Sequence, residues 1–136
     1  MIVDMEFHHI GVACRGLEAE SEAFSALGYA QEGSDFEDPV QGVRGRFLVG
    51  AGPRLELLAP LRREGVLTPW LQRGTKLYHL AYRTRNLAES LARLKLARAR
   101  VMVAPIPSVA FGGSDIAFAL MPNLLLLELI EVGVES

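Results

Sequence analysis

Two stretches of this chain nearly repeat each other. FHHIGVACRGLEAE, residues 7–20, aligns with LYHLAYRTRNLAES, residues 77–90, so that His9 matches His79 and Leu17 matches Leu87, both at an offset of 70. Further on, RLELLAP, 54–60, aligns with LLELIEV, 126–132, and pairs Glu56 with Glu128 at an offset of 72. Two residues of drift over half a chain is what loop-length variation produces. Two copies predict a duplicated module; a solenoid needs three or more repeats to bury its faces.

Both copies spell β-α-β-β-β. In the first, residues 6–13 alternate around Ile10 and Val12 as a strand, and a helix over 17–27 carries Leu17, Phe24 and Leu27 on one face. Gly28 stands where a helix C-terminal cap is expected. Strands follow at 29–36, 43–50 and 53–59, with Gly50 to Pro53 as the hairpin connection. The second copy has a strand at 76–84 and a helix at 87–97. Asn86 and Glu89 stand in capping-box spacing there, and Leu87, Leu91 and Leu94 form the apolar stripe. Three more strands fit 99–104, 115–121 and 124–132. Thr68-Pro69 signals a short helix start at Trp70-Leu71 within the connection. The expectation is one α+β domain over 1–136. Its first βαβββ module is 6–60, its linker 61–75 and its second module 76–132, and the tandem modules form a curved, cup-like mixed sheet.

Composition narrows the function. Net charge is −2 with no basic stripe, which argues against nucleic acid as a partner. The single Cys14 leaves no internal disulfide and fits a reducing compartment. The N-terminus MIVDMEFHHI lacks the pattern of a signal peptide, and no apolar run approaches the roughly 20 residues that span a bilayer. These features predict a cytoplasmic protein with no membrane partner.

Strand alternation aims one ionisable residue per strand away from the helices. His9 shares a face with Phe7, Gly11 and Ala13; His79 shares one with Ala81; Glu56 and Glu128 are flanked by leucines that point the other way. A carboxylate among leucines costs several kcal/mol unless it is partnered. If the two modules curve together, two imidazoles and two carboxylates converge, and that donor set suits a divalent ion with open positions for substrate. A lone strand histidine is more often structural. Here the repeat matches two histidines and two glutamates at once, which favours metal. His8 on the helix side, Glu131 at a strand end and Cys14 take the structural, solvated and core readings respectively.

These motifs resemble the vicinal oxygen chelate superfamily, which includes glyoxalase I, methylmalonyl-CoA epimerase, extradiol dioxygenases and bleomycin-resistance-type binding proteins. HHIGVACRGLEA is similar to the epimerases' first strand and helix entry, Gln41-Gly42-Val43 to their Gln-Gly-Val, RLELLAPL with LTPWL to their fourth strand and short helix, and YHLAYRTRNL to their fifth strand. The resemblance covers nearly the whole chain and implies the glyoxalase/bleomycin-resistance fold. It places the four metal ligands on His9, Glu56, His79 and Glu128, around one ion of Co, Mn, Ni, Zn, Mg or Fe. It further implies a homodimer.

The implied chemistry is abstraction of a proton next to a carbonyl through a metal-stabilised enediolate, with Glu128 or its repeat partner Glu56 as the base. Epimerase-like action on an acyl-CoA or other thioester is favoured on Gln41. Alternatives are a glyoxalase I-like lactoylglutathione lyase, an extradiol-type dioxygenase using His9, His79 and Glu128, and a metal-free small-molecule binding protein. Gln41, Arg46 and Ser114 are the expected substrate contacts. One departure stands out: some epimerases carry a carboxylate two residues beyond the Val of Gln-Gly-Val, where this chain has Gly45. Glu37 or Asp38 would be the substitutes.

Overall fold

A computed structural model describes residues 4–133. It divides at the His8–His9 and Tyr78–His79 junctions into a unit of residues 9–78 and a second unit of the residues before and after them.

The 9–78 unit carries most of β1 (Glu6–Ala13), then α1 (Leu17–Ser25), β2 (Ala30–Asp38), β3 (Val43–Val49), β4 (Leu55–Pro60) and a short α2 (Thr68–Arg73). Its strands lie in the order β2-β3-β4-β1. β1 pairs parallel with β4, with Gly11 opposite Glu56, and β3 pairs antiparallel with β4, with Phe47 opposite Glu56. Leu55, Leu57 and Ala59 alternate onto the helix side of β4, where they form a core with Val12, Leu17 and Leu48 against which Phe24 of α1 packs. The helix ends earlier than the apolar pattern predicts. Gly28 takes a φ of 83°, the chain turns, and Leu27 is left 63% exposed instead of completing the stripe. Tyr29 fills the place beside Phe24.

The other unit repeats the grammar with most of β5 (Leu77–Thr84), then α3 (Leu87–Leu96), β6 (Arg100–Pro107), a 3₁₀ turn (Val109–Phe111), β7 (Asp115–Leu120) and β8 (Leu126–Glu131). The strand order is β5-β8-β7-β6, with Ala81 opposite Glu128 in the parallel β5–β8 pair and Phe118 opposite Glu128 across β7 and β8. Leu87, Leu91 and Leu94 pack on Ala117, Ala119, Leu127 and Leu129 as the stripe predicts. Asn86 caps α3: its side-chain oxygen accepts from the Glu89 amide at 3.0 Å. Glu131, expected to be solvated, instead accepts from the Leu87 amide at 2.9 Å. A carboxylate there meets one of the amides that a helix leaves unbonded in its first turn.

β2 and β6 run to Asp38 and Pro107, beyond the predicted 36 and 104. Among the described residues, no helix is long and apolar enough to cross a membrane.

Candidate metal centre

In the 9–78 unit, His9 Nε2 lies 3.2 Å from Glu56 Oε1. In the other unit, His79 Nε2 lies 3.2 Å from Glu128 Oε1. The same local geometry makes both pairs. Each Glu sits on a strand that runs parallel to the strand of its His, and the His stands two residues before the position directly opposite the Glu. Gly11 and Ala81 occupy those opposite positions. Neither has a side chain long enough to fill the gap, so the imidazole leans across to the carboxylate. His9 is fully buried, and Glu56, His79 and Glu128 are each only 3% exposed.

Each imidazole also meets a phenylalanine edge-on. Phe47 contacts His9 with ring centroids 5.4 Å apart and planes at 81°, and Phe118 contacts His79 at 5.3 Å and 77°. Each Phe lies directly opposite the Glu of its pair. The sequence reading missed these rings, although a Phe stands nine or ten positions ahead of each Glu. They give both pairs an apolar flank, which weakens competition from water for the buried polar atoms.

The donor chemistry fits a metal. Imidazole nitrogen and carboxylate oxygen suit divalent ions. Two ligand atoms about 2.1 Å from one ion and about 90° apart are separated by about 3 Å, close to the spacing within each pair. Each buried pair, His9 with Glu56 and His79 with Glu128, offers donor atoms of the kind that could hold a metal ion.

The expected substrate contacts fare differently. Arg46 alternates with Phe47, so it points to the helix side, away from His9. Its Nε and Nη2 donate to the two Asp35 carboxylate oxygens at 2.7 and 2.8 Å, Nη2 also to Glu18 Oε1 at 2.7 Å, and Nη1 to Ser21 at 2.9 Å. The guanidinium braces α1 against β2 and β3; this corrects its expected role toward substrate. Gln41 lies in the β2–β3 turn, where its side-chain Nε2 donates to Asp38 Oδ2 at 2.9 Å. Ser114 closes the loop after the 3₁₀ turn, accepting from the Ser108 amide at 2.9 Å. The Gln41 turn begins beyond Val43, and Ser114 precedes β7; at about 3.3 Å per residue, each is roughly 13 Å or more along its strand from Phe47 or Phe118. Asp38 is buried, and its carboxylate accepts from the Val40 and Gln41 amides at 3.1 Å each. It is a turn brace. Glu37 points to the opposite face.

The Arg46 cluster sets a pH dependence. Hydrogen bonds from Arg46 hold the carboxyls of Glu18 and Asp35 below the ordinary carboxylate range. Folding therefore favours their ionised forms. The resulting stability is present above about pH 4, the ordinary carboxylate value, and is lost as pH falls through the depressed values. Both carboxylates are largely solvent-accessible, so screening keeps the effect modest. Arg46→Met is expected to lower the urea midpoint more at pH 7 than at pH 3. An equal loss at both pH values would show that packing of the Arg46 stem, not its charge, matters here.

A mixed α+β fold of two β-α-β-β-β halves, each with a buried His–Glu pair, defines the class. Residues 8–118 match the Glyoxalase/Bleomycin resistance protein/Dioxygenase superfamily. The chain belongs to this family, the vicinal oxygen chelate group. It is 28% identical over 113 residues to an ethylmalonyl-CoA/methylmalonyl-CoA epimerase from Cereibacter sphaeroides, covering 82% of this chain and 84% of that protein. The crystal structure of methylmalonyl-CoA epimerase from Mycobacterium tuberculosis superposes with a TM-score of 0.78 at 25% identity, covering 94% and 88% of the two chains. A Streptomyces coelicolor methylmalonyl-CoA epimerase in complex with 2-nitronate-propionyl-CoA superposes with a TM-score of 0.76 at 29% identity, covering 96% and 97%.

Proposed function

We propose that His9, Glu56, His79 and Glu128 hold one divalent ion, and that the protein is a metal-dependent epimerase acting on a 2-substituted acyl-CoA thioester such as methylmalonyl-CoA. The observation that carries this reading is the repeated buried His–Glu pair, 3.2 Å in both units, with a phenylalanine edge-on to each imidazole. The epimerase relatives support the thioester as substrate class.

When bound, the ion would polarise the thioester carbonyl and offset negative charge developing on its oxygen. The chain's own residues move the proton. Glu128 takes it from the carbon next to the carbonyl; the C–H bond breaks and its electron pair moves onto the carbonyl oxygen. Return of a proton to the opposite face, with the electron pair restored to carbon, inverts the centre. Glu56, equivalent to Glu128 in the repeat, is the candidate for that second transfer. As ligands to the ion, the imidazoles would bind in their neutral form. The Phe47 and Phe118 rings exclude water from their flank of each pair.

The test couples metal content to exchange. Protein purified without chelator should contain about one divalent ion per chain, and methylmalonyl-CoA in D₂O should lose its 2-proton signal by NMR only with the metal-loaded protein. Undiminished exchange after chelation and dialysis would remove the metal from the reaction. A structure soaked in Mn²⁺ without density at these four side chains would remove it from the site.

A further inference from the structure

On the His9–Glu56 face, Phe36 of β2 stands directly opposite Gly45 of β3, and Phe47 follows two residues along on the same side. With the Phe36 ring where it sits, a side chain at position 45 would require that ring to move. A Cβ built there would lie 2.1 Å from Phe36 Cζ and 2.7 Å from both Cε atoms. The Phe36 ring thus fills the volume that a residue at 45 would take. It leans on Phe47 with centroids 5.8 Å apart and planes at 35°, and Phe47 in turn meets His9. Three rings therefore run in contact from β2 to the imidazole. Phe36 is half-buried, so part of its ring remains exposed.

The other half of the repeat is built differently. Ile116 stands two residues before Phe118, as Gly45 does before Phe47, and its partner across the strands is Ile106 rather than a phenylalanine. The repeat that duplicates the His, Glu and Phe positions does not duplicate this one. The face of β3 offers Val43, Gly45 and Phe47, with no side-chain donor or acceptor among them. A polar ligand group pressed there would lose water without gaining a hydrogen bond.

We infer that Phe36 is a specificity-determining residue: its ring, seated on Gly45, is the apolar stop against which the 2-substituent of the acyl thioester packs, which restricts that substituent to a short alkyl group. This rests on the reading of His9 and Glu56 as part of a metal and thioester site. Selection is steric and hydrophobic, and it acts on one side of a site whose other structural elements are duplicated. It distinguishes the two ends of a substrate that the repeat alone would treat alike.

The test uses 2-alkylmalonates as probes, since they carry the substituent on a carbon flanked by carboxylates. Calorimetry on Mn²⁺-loaded protein compares methylmalonate with benzylmalonate. The wild type should prefer methylmalonate. Phe36→Ala should raise the benzyl-to-methyl affinity ratio by on the order of 10-fold, the scale expected for opening or closing an apolar pocket by one group or more. Phe36→Leu should give an intermediate ratio and serves if the alanine variant fails to fold. Gly45→Ala should lower the urea midpoint in the wild type and be tolerated in the Phe36→Ala background, which is the signature of a shared volume. A ratio unchanged by Phe36→Ala and Phe36→Leu overturns the inference, as does failure of any alkylmalonate to bind. If selectivity is unchanged while metal-dependent proton exchange persists, the proposed function stands and only the role of Phe36 falls. Shifted selectivity without exchange on any thioester would support the role of Phe36 and overturn the epimerase reading.

Discussion

Glu128→Gln is expected to slow exchange of the substrate's 2-proton with solvent by on the order of 10² or more, the usual range for a lost general base. The variant retains the side chain's length and an oxygen ligand, so much of the metal should remain bound. Glu128→Ala should lower both metal content and activity. The motive is the placement of Glu128: buried at 3% exposure, 3.2 Å from His79 Nε2 and directly opposite Phe118. Metal content by elemental analysis and exchange by NMR in D₂O separate the two effects. Wild-type exchange rates in the Gln variant, across a panel of 2-substituted acyl thioesters, would refute Glu128 as base. Glu56, which has the same burial and the same His distance in its own unit, would then be the next carboxylate to test.

Leu57→Ala and Leu129→Ala should each cost about 2–5 kcal/mol, the range for truncating a buried leucine. Both side chains are completely buried, Leu57 in the core behind β4 and Leu129 in the core behind β8. They sit one residue after Glu56 and Glu128, on the opposite face of the same strands. These substitutions therefore probe what holds each Glu in place without touching the carboxylate. Leu96→Ala is the control: that side chain is 89% exposed at the end of α3, and its loss should stay within about 0.5 kcal/mol. Urea denaturation measures all three. A loss under about 1 kcal/mol at Leu57 or Leu129 would mean that the neighbouring core closes over the space.

Much of this protein is legible in its sequence because its signals are periodic and local. The Leu-Glu-Leu strands and the His-bearing strands announce their faces by alternation, and two copies of each make chance an inadequate account. The α3 cap follows from the Asn86–Glu89 spacing, because a side-chain oxygen at that position meets an amide one turn on. So the sequence by itself determines the β-α-β-β-β order, the α+β class, the family and the identity of the four buried His and Glu residues. What remained hidden depends on register between strands distant in sequence. Arg46 reads as a cation free to meet a substrate; only the pairing of β3 with its neighbours shows it turned to the helix side and held by Glu18 and Asp35. Phe47 and Phe118 become partners of the imidazoles only when strand pairing sets each opposite a glutamate. Gly45 reads as a missing carboxylate until the Phe36 ring is seen 2.1 Å from where its Cβ would be. The physical reason is common to all three. Alternation assigns a residue to a face, but only hydrogen-bonded register between strands decides which side chains share a volume.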